Sequence, residues 1–253
     1  MREDLFEEMY QLEDSYWWHV SKRNLVRRLT SQHVGRGKNQ IYMDIGCGTG
    51  RLIAEVRDWK RWKKIVGLDG SATALSFCKK RGKADFIQTD FEKTLPVNNN
   101  SVDVITSLDV VEHVAGDQRL IKEFYRILKP GGVVMVAVPA HQWLWTYWDD
   151  MLGHKRRYET VEVKDKFEKA GLDVEKISYF YSYLLPMALA FRVLKSIFPK
   201  WKKSSDFVEL PEWANQMLLR LSSWEIKLIS KMNVPLGLSV VCVARKPVNR
   251  KSR

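Results

Sequence analysis

From residue 40 onward the chain alternates short apolar runs with longer amphipathic stretches. Short apolar runs bounded by turn residues suit strands buried on both faces, and amphipathic stretches between them suit the crossover helices of a parallel sheet. The pattern predicts strands over residues 41–45, 64–68, 84–89, 102–108, 133–138, 172–180 and 238–244. Helices are predicted over 51–59, from the N-cap Ser71 to 81, and over 117–128 and 160–170. Lys129-Pro-Gly-Gly132 stops the third of these, since proline and glycine end a helix.

Two parts fall outside the alternation. Residues 1–39 read as an N-terminal helical cap, acidic early and with Tyr16-Trp17-Trp18-His19 at its middle. Residues 184–235 read as an insertion of roughly two amphipathic helices before the last strand. The expected organisation is one domain: the cap, a core over 40–183, the insertion, and a last strand with a basic tail over 236–253.

The 253 residues, 45% hydrophobic and 28% charged, suffice for one α/β domain with additions. The three cysteines form no CxxC or Cys/His pair with ligand spacing, so a reducing compartment and no metal are expected. The charged start, Met1-Arg-Glu-Asp-Leu, lacks the apolar stretch of a signal peptide, which points to the cytoplasm. A net charge of +12 favours an anionic partner. Basic residues cluster at Arg57–Lys64, Lys200–Lys203 and Arg245–Arg253, without any zinc-finger, helix-turn-helix or RNA-binding signature, so nucleic acid is not expected.

Candidate chemistry centres on Tyr42-Met-Asp-Ile-Gly-Cys-Gly-Thr-Gly-Arg51, which ends a strand and opens a helix. Glycines at 46, 48 and 50 let the backbone turn tightly and approach a ligand. The GxGxG spacing differs from the GxGxxG of dinucleotide sites, where a helix N-terminus faces a pyrophosphate. Asp69, followed by Gly70, ends the second strand, where an acid can accept both hydroxyls of a ribose. Asp90 ends the third strand, placed to accept from an adenine amino group, with Phe91 beside it. Each acid lies at the carboxyl edge of strands, where open α/β sheets bind ligands.

These pieces resemble class I S-adenosylmethionine (SAM)-dependent methyltransferases. The resemblance rests on Asp44-Ile-Gly-Cys-Gly-Thr-Gly50, Val66-Gly-Leu-Asp69, Gln88-Thr-Asp-Phe91, Asp103–His113 and Leu128-Lys-Pro-Gly-Gly132, in that order. It implies an α/β, Rossmann-like, seven-stranded sheet with the last strand antiparallel, and an enzyme that uses SAM. It also implies a cofactor site of Asp44, Gly46, Cys47, Gly48, Gly50, Asp69, Gly70, Asp90, Phe91, Leu108 and Asp109. His113 is expected to support this site and Trp17 to fold over it. The branch it looks closest to holds ubiquinone and menaquinone biosynthesis methyltransferases. Tyr16-Trp17-Trp18, Pro139–Trp145 and Gly153-His-Lys-Arg-Arg-Tyr158 resemble a subgroup associated with saccharides or lipid-linked precursors.

For the acceptor, His141 and His154 are the candidate general bases, because both follow the fifth strand. Arg156 and Arg157, with Tyr158, are candidate ligands for an anionic acceptor, since an arginine fork matches carboxylate or phosphate. Trp143 and Trp145 are candidate platforms for a sugar ring or covers for an apolar tail. Residues 184–203 join an apolar run to basic flanks, the pattern of an interfacial helix, which predicts peripheral contact with an anionic inner membrane face. The leading expectation is methyl transfer to a saccharide or lipid-linked intermediate. A quinone-like small acceptor and a non-catalytic SAM-binding scaffold are the alternatives.

Overall fold

The computed structural model describes residues 5–248 apart from 36, 38, 60, 61 and 191–209. The apolar runs become β1 (Gln40–Ile45), β2 (Trp62–Asp69), β3 (Asp85–Gln88), β4 (Val102–Leu108), β5 (Leu128–Pro139), β6 (Asp173–Phe180) and β7 (Ser239–Arg245). They form one sheet in the order β3-β2-β1-β4-β5-β7-β6. β1 to β5 run parallel, and β7 is antiparallel to both β5 and β6. The seven-stranded expectation with an antiparallel last strand therefore holds. Because β1 has β2 on one side and β4 on the other, the strand order reverses at its carboxyl end, where such sheets bind ligands.

The central strands are apolar on both faces because both are covered. On β5, Val133, Met135 and Ala137 pack under α2 (Trp17–His33) and α8 (Glu212–Ile229). Val134, Val136 and Val138 pack under α5 (Asp117–Ile127) and α7 (Thr160–Lys169). Leu25, Val26 and Leu29 of α2 are fully interior, each worth about 1.5–3 kcal/mol of transfer free energy. α3 (Arg51–Asp58) follows the glycine turn. α4 (Ala72–Arg81) starts where expected, with Ser71 Oγ accepting from Ala74 N at 3.2 Å. α1 (Leu5–Leu12) docks Phe6 against Ala74 and Phe77 of α4.

Three elements differ from the sequence pattern. The helix stop at 129–132 is absorbed into β5, which begins directly after α5, with a register shift opposite it between Val102 and Val104. β3 is shorter than expected, and residues 89–101 run as turns and irregular chain. A cleft of about 790 Å³, lined by residues such as Ile41, Val66 and Val97, therefore opens at the amino ends of the strands, opposite the ligand edge. The stretch after β5 holds α6 (Tyr147–Leu152), closed at its start by a Thr146–Asp149 capping box. The expected interfacial stretch is helical over 185–190, and the rest of it, with the basic run at 200–203, lies outside the described residues. Among the described residues no helix is long and apolar enough to cross a membrane.

Candidate active site

The glycine turn is built by backbone geometry. Gly46 and Gly48 take φ of +78° and +53°, a region that side chains disfavour. A Cβ on Gly46 would meet Cγ2 of Val110 at 2.1 Å, so the turn also presses against the loop after β4. Gly46 N and Cys47 N both donate to Leu68 O, at 2.7 and 3.0 Å, which ties the turn to β2. Gly50 occupies the N-cap of α3. Cys47 Sγ lies 3.8 Å from Cys78 Sγ; that contact and burial push its thiol well above the usual range, so it packs rather than attacks.

Two acids brace the turn. Asp44 is buried at the end of β1 and accepts from Thr106 Oγ1 at 2.6 Å; burial pushes its carboxyl up to about 7. Asp69 Oδ2 accepts from Gly48 N and its Oδ1 from Ser71 N, both at 2.9 Å. Burial raises the Asp69 carboxyl, but it remains partly exposed, with lone pairs left for a diol. Gly70 O is held by Gln88 Nε2 at 3.2 Å. Asp90 Oδ1 accepts from Glu92 N at 2.9 Å, and Arg119 holds Phe91 O at 2.6 Å.

The N-terminal helices close over this edge. Thr49 Oγ1 donates to the buried Glu13 carboxylate. Arg81 bonds Thr49 O, Tyr10 O and Asp14 Oδ1, at 3.1, 2.7 and 2.7 Å. Trp17 N donates to Asn215 Oδ1 at 2.9 Å, and its ring stands edge-on to Trp18 and Tyr181. Leu108 ends β4, and Asp109 follows with φ +54° and an ion pair to Lys22 of α2.

On the acceptor side, His141 is 3% exposed, with φ +61°. Its Nδ1 lies 2.9 Å from Glu159 Oε1, and Glu159 Oε2 accepts from Tyr179 OH at 2.5 Å. The ring stacks on Tyr179 and lies 5.1 Å from the exposed Trp143. A carboxylate at Nδ1 keeps the neutral ring's proton there and leaves Nε2 as an acceptor. That Nε2 is buried and has no partner among the described residues. His154 Nδ1 lies 2.8 Å from Asp149 Oδ1, and its ring 4.8 Å from that of His113. Burial, with His154 beside it, brings His113 down to about 4.

Three residues assigned to the acceptor by sequence are engaged by the scaffold. Tyr158 is 1% exposed and donates to Asp117 Oδ2 at 2.9 Å, so it is an interior strut. Arg157 forks onto Asp149 at 2.8 and 2.9 Å, and Arg156 pairs with Asp117 at 3.0 Å. Burial alone would raise the Asp149 carboxyl, yet bonds from His154 and Arg157 hold it well below the usual range. Trp145 Nε1 is likewise engaged, by Asp150 Oδ1 at 3.0 Å.

Sequence reasoning missed Lys22, Asp149 and Glu159. Asp149 carried a signal, since Thr-x-x-Asp announces a capping box. Lys22 and Glu159 carried none, because each meets its partner across the fold.

Residues 43–136 match the family model described as a methyltransferase domain. A probable S-adenosylmethionine-dependent methyltransferase of Mycolicibacterium smegmatis is 29% identical over 168 residues, 64% of this chain and 62% of the relative. The sterol 24-C-methyltransferase of Pneumocystis carinii is 27% identical over 54% of this chain and 37% of the relative. The chain thus spans less than two thirds of the length of these relatives. Among solved structures, the complex between the Haloferax volcanii Trm112 methyltransferase activator and a putative methyltransferase superposes with a TM-score of 0.65, at 20% identity, over 98% of this chain and 97% of that one. With the glycine turn, the acid at the end of β2 and the sheet order all in place, residues 43–136 carry a methyltransferase domain on a Rossmann-like sheet, and the chain is similar to SAM-dependent methyltransferases.

Proposed function

We propose that the whole chain is a working methyltransferase whose acceptor is a hydroxyl of a lipid-linked saccharide intermediate at an anionic membrane face. When bound, SAM supplies an electrophilic methyl group on a sulfonium. Gly46 and Gly48 leave room for its methionine portion, Asp69 is placed to accept from the ribose hydroxyls, and Asp90 with Phe91 to bound the adenine. Trp17 and Trp18 exclude water from this edge. His141, oriented by Glu159, takes the hydroxyl proton on Nε2. Trp143 offers a face for a sugar ring beside it.

The observation that carries the acceptor class is an apolar stripe on α8 that no other described residue covers. Trp213, Met217, Leu221 and Trp224 recur at helical spacing, and the two tryptophans are 70% and 67% exposed. Together with the net charge of +12, such a face suits an anionic lipid surface. The test is methyl transfer from labelled SAM into a lipid extract, with co-sedimentation on anionic vesicles at low salt. Label in a lipid-linked saccharide, lost with the membrane binding of a Trp213→Ala/Trp224→Ala variant, supports the reading. Label only in a water-soluble acceptor rejects it.

A further inference from the structure

Glu112, His113 and His154 bring three ligand atoms together just beyond the end of β4, all within 4.8 Å of one another. They come from two segments, the short turn after β4 and the loop closing α6. Glu112 is fully buried, yet neither of its carboxylate oxygens takes a hydrogen bond from another described residue. A buried carboxylate without donors is costly unless it takes up a proton or a cation satisfies it. The His154 ring lies beside it, with Nε2 3.9 Å from Oε1.

Both imidazoles are already set for ligation. His113 Nδ1 lies 3.2 Å from Gly153 O, and a carbonyl only accepts, so the ring proton sits on Nδ1. His154 Nδ1 is fixed in the same way by Asp149 Oδ1 at 2.8 Å. Each ring is left with its Nε2 lone pair for the cluster. An acceptor at the distal nitrogen is how metal-binding histidines are held in other proteins. Asp149 is itself anchored by the Arg157 fork, which gives that arginine a role in holding the ligand set.

We propose that Glu112, His113 and His154 form a site for one divalent transition cation, of the zinc or manganese kind, on the acceptor side of the methyltransferase domain. Two imidazoles and one carboxylate are a set used by catalytic zinc and by open-sided transition-metal sites. Bonds of about 2.0–2.1 Å require these donors to close by roughly an ångström, which small side-chain rotations supply. Three protein ligands leave coordination positions free. Asp109, one of the expected cofactor-site residues, is three residues before Glu112, so the cation would polarise an oxygen acceptor close to that edge. This role rests on the methyltransferase reading above; the cation site itself does not.

The experiment titrates Zn²⁺ and Mn²⁺ calorimetrically into the wild type, His154→Asn and a surface control, His33→Asn, with SAM titrated into the same samples. The expected result is one equivalent bound by the wild type and the control, with affinity at least tenfold weaker in His154→Asn. Co²⁺ added to the wild type should also give the visible absorption bands of a bound, partly aquated ion, a readout that needs no variant. No saturable binding, unchanged affinity in His154→Asn, or loss in His33→Asn overturns the site. SAM binding without cation binding rejects this inference alone, whereas cation binding without SAM binding rejects the methyltransferase reading and leaves the site standing.

Discussion

A Cβ placed on Gly46 would lie 2.1 Å from Cγ2 of Val110, so the cofactor turn and the loop after β4 touch with no room for a side chain. Gly46→Ala should therefore cost about 1–3 kcal/mol from overpacking, with roughly 1–2 kcal/mol more from the left-handed backbone. Chemical denaturation measures this, and calorimetry should register a large loss of SAM affinity. Gly48→Ala should be milder in stability, because its nearest obstacle is the flexible end of Met9, at 2.8 Å.

Asp44 makes stability depend on pH in a predictable direction. Burial raises its folded-state value from 3.8 to about 7. The stability it contributes is complete below the unfolded value and is lost as pH rises through the folded one. Denaturation between about pH 4 and pH 8 should show the wild type losing up to about 4 kcal/mol that Asp44→Asn retains. Parallel pH curves for the two proteins would reject this account.

Arg157 is expected to matter for stability before it matters for any acceptor. Its fork with Asp149, which is 1% exposed, is largely buried. Breaking such a pair leaves an uncompensated charge, at a cost of about 3 kcal/mol. A thermal melt of Arg157→Ala should fall by several degrees while SAM affinity stays close to wild type. An unchanged melting temperature, with a raised acceptor KM, would return the arginine to the acceptor site.

His141→Gln should lower kcat by about 10²–10⁴-fold, the usual worth of a general base, with SAM affinity preserved. Glu159→Gln should lower kcat less, because it disturbs the orientation of the ring and leaves the base itself. Single-turnover label transfer in a lipid extract measures both. Full activity of His141→Gln would assign proton removal elsewhere.

Much of the fold was legible because its signals are local. β5 could be placed from its valine run, since a doubly buried strand needs apolar residues on both faces. Ser71 was legible as a cap because its hydroxyl bonds an amide three residues away. α6 was hidden behind its tryptophans, although Thr146 and Asp149 spelled its capping box. The start of β5 was misread because Pro130 and Gly131 break helices but also begin an irregular strand.

The sequence by itself determined the sheet, the glycine turn, and the acids at the ends of β2 and β3, because residue spacing and backbone preference act within a few residues. Only the tertiary structure decided which charged and polar groups remain available. Arg157 and Tyr158 look free along the chain, yet Asp149 and Asp117 consume them. His113 and His154 stand far apart in sequence, yet their rings meet at 4.8 Å. Pairing across the fold depends on where distant segments land, and that is set by the packing of the whole core rather than by any local pattern.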